Sequence, residues 1–142
     1  MTSEFSVAVH ALTFLNHKSN VQSSEALAEN VCTNAARVRK VMAKLKKSGL
    51  VVTKEGVDGG YMFAKNPEEI DLCSIAEALD TAFVSAKWQS GNPEENCLIA
   101  SGMAGVLTDI YADLDALCKK RLKELTIADV DKMIFKDGMI NK

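Results

Sequence analysis

The chain has 142 residues, 47% of them hydrophobic and 25% charged, with a formal net charge of −2, enough for one full domain or a small head with an arm. It has no apolar run near the ~20 residues that span a bilayer, and Met1-Thr2-Ser3-Glu4-Phe5 lacks the basic segment and cleavage site of a signal peptide. The expected address is the cytoplasm, where four cysteines are not expected to form structural disulfides. Phe5, Ala8, Val9, Leu12 and Leu15 recur at helical spacing and predict an amphipathic helix over residues 3–18, ended by Ser19-Asn20. Ser23 and Ser24 are good N-caps for a short second helix with Leu27, Ala28 and Val31 on its inner face. After a turn at Cys32-Thr33, either Thr33 or Asn34 caps a third helix running to Ser48. Val38, Val41, Met42 and Leu45 face inward along it, and Gly49 stops it. Two helices joined by so short a turn, the second of them basic, match a helix-turn-helix.

Leu50-Val51-Val52-Thr53 and Tyr61-Met62-Phe63-Ala64 predict two strands around the turn-rich segment 54–60. A hairpin directly after the recognition helix is a wing, and its glycines suit a tip lying against a phosphate backbone. Asn66-Pro67 closes the hairpin, and Asp71 caps a helix through Ala82 that presents Leu72, Ile75, Ala76 and Leu79 on one face. Residues 84–92 read as an irregular connection containing Trp88 and Gly91. Pro93 at a first helical position, followed by Glu94 and Glu95, predicts one long helix over residues 94–125. Met103, Leu107, Ile110, Leu114 and Leu117 are spaced 4-3-4-3 along it, a heptad-like seam too long for the head to cover alone. Gly102 and Gly105 mark either a close helix crossing or a break. Residues 126–135 predict a last short helix, and the final few residues are expected to be mobile. The expected fold is mainly α with a small β-hairpin wing. A winged helix-turn-helix domain occupies residues 1–83; a connecting loop, long dimerisation helix and C-terminal helix occupy residues 84–142.

The small net charge conceals an asymmetry. Residues 34–54 hold seven basic residues, Arg37, Arg39, Lys40, Lys44, Lys46, Lys47 and Lys54, with no Asp or Glu among them. The remainder carries ten basic and nineteen acidic residues. On charge alone the window is either a surface that meets an anion or a solvated helix face.

The stretch Val41-Met42-Ala43-Lys44-Leu45-Lys46-Lys47-Ser48-Gly49-Leu50-Val51 is followed by Gly59-Gly60-Tyr61, then Ala64-Lys65, then Pro67-Glu68-Glu69-Ile70-Asp71-Leu72. In these motifs and in its order of elements the chain resembles the Rrf-two family of bacterial winged-helix transcription regulators, the IscR- and NsrR-like group. The resemblance implies a homodimer held by the long helices, with two recognition helices on a palindromic operator in double-stranded DNA. By position it implies DNA contacts from Thr33, Asn34, Arg37, Lys40 and Lys44, and from Lys54, Gly59, Gly60 and Tyr61 of the wing. Arg37 and Lys40, in the first turns of the helix, are the candidates for base edges. Lys44 and Lys54 fit phosphates better, and Tyr61 is either a contact or packing.

Cluster-binding members of that family carry three cysteines close together before the long helix. Here the segment has Cys97 alone, while Cys32, Cys73 and Cys118 lie in other elements, so no iron–sulfur cluster and no other cofactor is expected. The likeness is to a cluster-free, thiol-based redox-sensing, HypR-like branch. Cys32 lies just before the basic recognition helix and Cys97 near the start of the long one, positions where a helix N-terminus favours the thiolate. The resemblance brings the two near each other across the dimer, so an intersubunit Cys32–Cys97 disulfide is one reading and plain packing the other. Cys73 and Cys118 read as core. His10 and His17 have no metal-ligand partner at binding spacing, and Trp88 is either a ligand-pocket wall or, more simply, a hydrophobic lid. The leading function is a DNA-binding repressor tuned by cysteine oxidation. The alternatives are a regulator of the same fold sensing a small ligand near Trp88, and a winged-helix protein–protein adaptor. No nucleophile elbow, P-loop, dinucleotide fingerprint or zinc pairing points to an enzyme.

Overall fold

Residues 2–136 are described in the computed structural model. Helices α1 (Thr2–Lys18), α2 (Ser24–Val31) and α3 (Ala35–Lys47) pack around Leu12, Leu15, Leu27, Val38, Val41, Met42 and Leu45, all essentially without solvent exposure. Local chemistry sets their ends. The Ser23 hydroxyl accepts from the Ala26 N–H at 3.0 Å, and the Asn34 side-chain oxygen accepts from the Arg37 N–H at 2.7 Å, so Asn34 rather than Thr33 is the cap. Gly49 follows the Ser48 C-cap with φ +80°, the left-handed turn a glycine permits after a helix.

Strands β1 (Val51–Lys54) and β2 (Gly60–Phe63) form the expected antiparallel hairpin, with Val51 opposite Phe63 and Thr53 opposite Tyr61. The head grips its base. Gln22 forms a bridge with Tyr61, whose N–H donates to the Gln22 carbonyl at 2.8 Å while the Gln22 N–H returns a bond at 3.2 Å. A Cβ on Gly60 would stand 2.3 Å from the Gln22 carbonyl oxygen, so this glycine permits a backbone crossing inside the fold.

After a 3-10 turn at Pro67–Glu69, α4 (Leu72–Ala78) is capped by Asp71 as expected but ends four residues before Ala82. Asp80 takes φ +53° and the Thr81 N–H turns back to the Ala76 carbonyl at 2.9 Å, closing the helix without a glycine. The long helix α5 (Leu98–Leu122) also starts later and ends earlier than its composition implies. Pro93 and Glu94 instead belong to a turn held by Asn92, whose side chain accepts from the Glu94 N–H at 3.0 Å and whose carbonyl accepts from the Glu95 N–H at 3.1 Å. Gly91, at φ +76°, lies so close to α5 that a Cβ would sit 2.0 Å from the Ala100 carbonyl oxygen.

Helix α6 (Ile127–Phe135) opens with a capping box between Thr126 and Asp129 and returns to the head. Ile127 is fully buried in the head's core, the Asn16 amide donates to Asp131 at 2.9 Å, and His17 stacks on Phe135 at 4.6 Å. The mobility expected of the final few residues falls outside residues 2–136. Among the described residues no helix is long and apolar enough to cross a membrane. The molecule is mainly helical with a two-stranded wing, a winged helix-turn-helix head bearing a long helix.

Candidate nucleic-acid interface

The buried row Val38, Val41, Met42 and Leu45 turns the opposite side of α3 to solvent, and that side carries Ala36, Arg37, Lys40, Ala43, Lys44 and Lys47. Alanines between cations leave a low, positively charged ridge that can approach a groove closely. Lys47, which the family resemblance does not single out, shares this face by its spacing of seven from Lys40. Arg39 and Lys46 lie off the ridge, where Arg39 reaches Glu25 at 3.5 Å and Lys46 donates to the Thr53 hydroxyl of β1 at 2.9 Å. The second contact ties the wing to the helix.

The predicted contacts therefore separate by environment. Among the described residues, Arg37, Lys47 and Lys54 have no carboxylate partner, and Lys54 is exposed at the end of β1. Thr33 is half-buried, and Asn34 has committed its side-chain oxygen to the cap. Gly59 and Gly60 sit where a Cβ would strike backbone at 2.3 Å, and Tyr61 is half-buried against the core with its phenol pushed up by burial. Packing accounts for those three wing positions.

Lys44 is not a free cation. Its Nζ lies 2.9 Å from Glu4 of α1, with Lys40 3.8 Å from the same carboxylate. The hydrogen bond from Lys44 holds the Glu4 carboxyl below its ordinary value, against a smaller opposing effect of burial. Glu4 is forty residues from Lys44, so spacing along the recognition helix gave no sign of it. A pair this open to solvent is worth at most about 1 kcal/mol, so a phosphate can replace the carboxylate at modest cost. With a depressed folded pKa, the Glu4 contribution is present above the unfolded value near 4.5 and is lost as pH falls through the folded one. Thermal melts of Glu4→Gln should thus lie slightly below wild type at pH 7, and the gap should close in acid. A gap that persists or widens in acid would contradict this assignment.

The cysteines separate as well. Cys73 is buried and its thiol is pushed up by desolvation, whereas Cys118 is half-buried on α5. Cys32 and Cys97 are exposed. Cys32 lies in the turn just before α3, as expected, and there it is the left-handed C-cap of α2, at φ +66°. Its thiol faces the Glu29 and Asn30 carbonyls at 3.7 and 3.9 Å. Cys97 is the N-cap of α5 and forms no cap hydrogen bond, yet the nearby Ala100 and Ile99 N–H groups hold its thiol below the usual value. The helix-terminus argument applies to Cys97.

The sequence profile of the Rrf2 family, described as an iron-dependent transcriptional regulator, matches residues 1–132. The chain belongs to the Rrf2 family. Among Rrf2-like relatives, the helix-turn-helix-type transcriptional regulator named YwnA, of Bacillus subtilis, is 25% identical over 138 residues, covering 95% of this chain and 99% of YwnA. A crystal structure of a protein described as a transcriptional regulator from Lactobacillus plantarum superposes with a TM-score of 0.83 at 25% identity, covering 97% of this chain and 93% of that one. IscR of T. potens shares the fold, with a TM-score of 0.72 at 19% identity over 100% of this chain and 92% of its own.

The iron in the family's description can be tested against the residues present. Among the described residues, no group of three or more His, Cys, Asp and Glu side chains is arranged to hold a metal. Cys97 has no second cysteine in the connection before α5, and His10 is engaged with the Asn30 side chain at 2.8 Å. These residues do not fit an iron–sulfur cluster.

Proposed function

We propose that this Rrf2 member is a homodimeric, cytoplasmic repressor that binds a palindromic operator through α3 and the wing, and that oxidation of Cys32 and Cys97 changes its affinity. The observation carrying DNA binding is the solvent face of α3, where Arg37, Lys40 and Lys47 stand among alanines on a helix without a carboxylate. Arg37 and Lys40 then read base edges, while Lys47 and Lys54 hold phosphates, joined by Lys44 once phosphate displaces Glu4. Support for a dimer comes from α5. Ile99, Met103, Val106, Ile110, Leu114 and Leu117 form one exposed apolar stripe along a 25-residue helix ~37 Å long. A second copy of α5 crossing at that stripe buries it and sets two α3 helices against successive major-groove half-sites.

In the redox step, the Cys97 thiolate attacks hydrogen peroxide, forming a sulfenic acid as the O–O bond breaks and hydroxide leaves, which takes a proton from solvent to become water. The Cys32 thiol of the partner subunit then displaces a second water to form the disulfide. Cys32 closes the turn into α3, so a bond there pulls on the recognition helix.

Two experiments test this reading. Binding to the DNA upstream of the protein's own gene should weaken steeply with salt, with the logarithm of affinity falling linearly in the logarithm of salt concentration. A flat response sinks the DNA reading and favours a protein–protein adaptor. On a non-reducing gel, hydrogen peroxide should convert wild type to a covalent dimer that is lost in both Cys32→Ser and Cys97→Ser. Wild type remaining monomeric on that gel overturns the switch.

A further inference from the structure

The connection between α4 and α5 folds back along the long helix and leaves a cleft of about 380 Å³ between residues 84–90 and the middle of α5. Trp88 and Tyr111 line it together with the half-buried Ala104 and Leu107, and the exposed Ala112 stands at its edge. Trp88 does not act as the lid expected from sequence. It is 78% exposed and lies at the cleft instead of sealing apolar surface. The one charged residue lining the cleft is Asp115, and its carboxylate is already engaged. It accepts from the Phe83 and Val84 N–H groups at 2.7 and 3.0 Å and pairs with Lys119 at 3.1 Å. With no cation in the lining, nothing there recruits an anion. Residues 104, 108, 111 and 115 form a row roughly 100° around the helix from the Met103–Ile110–Leu114 stripe, while Leu107, placed in the seam by its spacing, is half-buried at the cleft edge between the two.

We propose that this cleft binds a flat, uncharged aromatic small molecule stacked on Trp88, and that its occupancy braces the connection against α5. The volume lies within the ~300–1,000 Å³ of small-molecule sites, and a planar ring suits a lining of two aromatic rings and small side chains. The polar groups at the rim are neutral, including Thr108 and Ser90, and select for hydrogen bonding at a ring edge without charge. The same connection is pinned to α5 by Gly91 against Ala100 and leads into Cys97, so a bound ligand would bear on the proposed switch. Only that consequence rests on the regulator reading; the site itself does not.

The chain contains one tryptophan, so emission excited at the red edge of its absorption, beyond the two tyrosines, reports on Trp88. The full chain is titrated with N-phenyl-1-naphthylamine, an uncharged aromatic probe whose naphthyl ring is flat, in the absence of DNA. Saturable quenching of Trp88 with sensitised probe emission, at one probe per chain, is expected. Ala104→Leu and Ala112→Leu each add bulk to the cleft lining, the first inside and the second at the edge, from a helix that favours leucine, and each should weaken binding at least tenfold with unchanged circular dichroism; if one variant misfolds, the other decides. Quenching that does not saturate, or full affinity retained in the folded leucine variants, overturns the proposal. Probe binding by a chain that binds no DNA would overturn the regulator reading and leave the cleft standing.

Discussion

Arg37→Ala is expected to weaken operator binding by roughly ten- to a hundredfold, the ~1–3 kcal/mol carried by a well-placed side chain at a base edge. Arg37 lies in the first turn of α3, has no carboxylate partner among the described residues, and follows the Asn34 cap that fixes where the helix begins. Loss of its side chain should also blur the preference between the operator and mutated operators. Lys54→Ala is the control. A phosphate contact carries no sequence information, so that variant should weaken all DNA sequences alike and flatten the salt dependence by about one unit of slope per lost contact. Anisotropy titrations on operator and scrambled DNA separate the two behaviours. Equal losses on both sequences for Arg37→Ala would move that residue to the backbone.

Leu114→Glu is expected to raise the dissociation constant of the dimer by about a hundredfold or more, since a carboxylate buried without a partner in an apolar seam costs several kcal/mol. Leu114 is 43% exposed in the single chain and stands mid-stripe on α5, while the buried core of the head is drawn from α1 to α4, β1 and α6 and does not include it. Glutamate is a good helix former. The head should therefore stay folded, with a melting temperature close to wild type, as sedimentation shows monomer at concentrations where wild type is dimeric. DNA affinity should fall with it, because two half-sites no longer bind as one event. A Leu114→Glu protein that sediments as a wild-type dimer would place the interface elsewhere.

Both expectations rest on features that differ in how openly the sequence displays them. The head is legible because its signals are local. Ser23, Asn34 and Asp71 cap helices at the expected places, Gly49 stops α3, and the inward row of α3 is apolar at helical spacing. The family motif lies in the same stretch. What escapes is set by residues far apart in the chain. Pro93-Glu94-Glu95 has the composition of a helix start, but Asn92 closes a turn on it and Gly91 packs against Ala100, which delays α5 to Leu98. The wing glycines carry the signature of a phosphate contact, yet Gly60 is required by a crossing with Gln22. Lys44 reads as a phosphate ligand until folding brings Glu4 beside it. Cys32 precedes the basic helix in sequence, but its thiol points at the carbonyl end of α2, so of the two cysteines the helix-terminus argument keeps Cys97.

Hydroxyl-radical footprinting of the wild-type protein on the DNA upstream of its own gene tests the central claim most directly. A dimer presenting two α3 helices predicts two protected half-sites related by a two-fold axis and separated by one helical turn, ~34–36 Å, or a multiple of it. Both should fade together in Arg37→Ala and in Leu114→Glu. A single protected patch, or protection that survives both substitutions, would contradict the account.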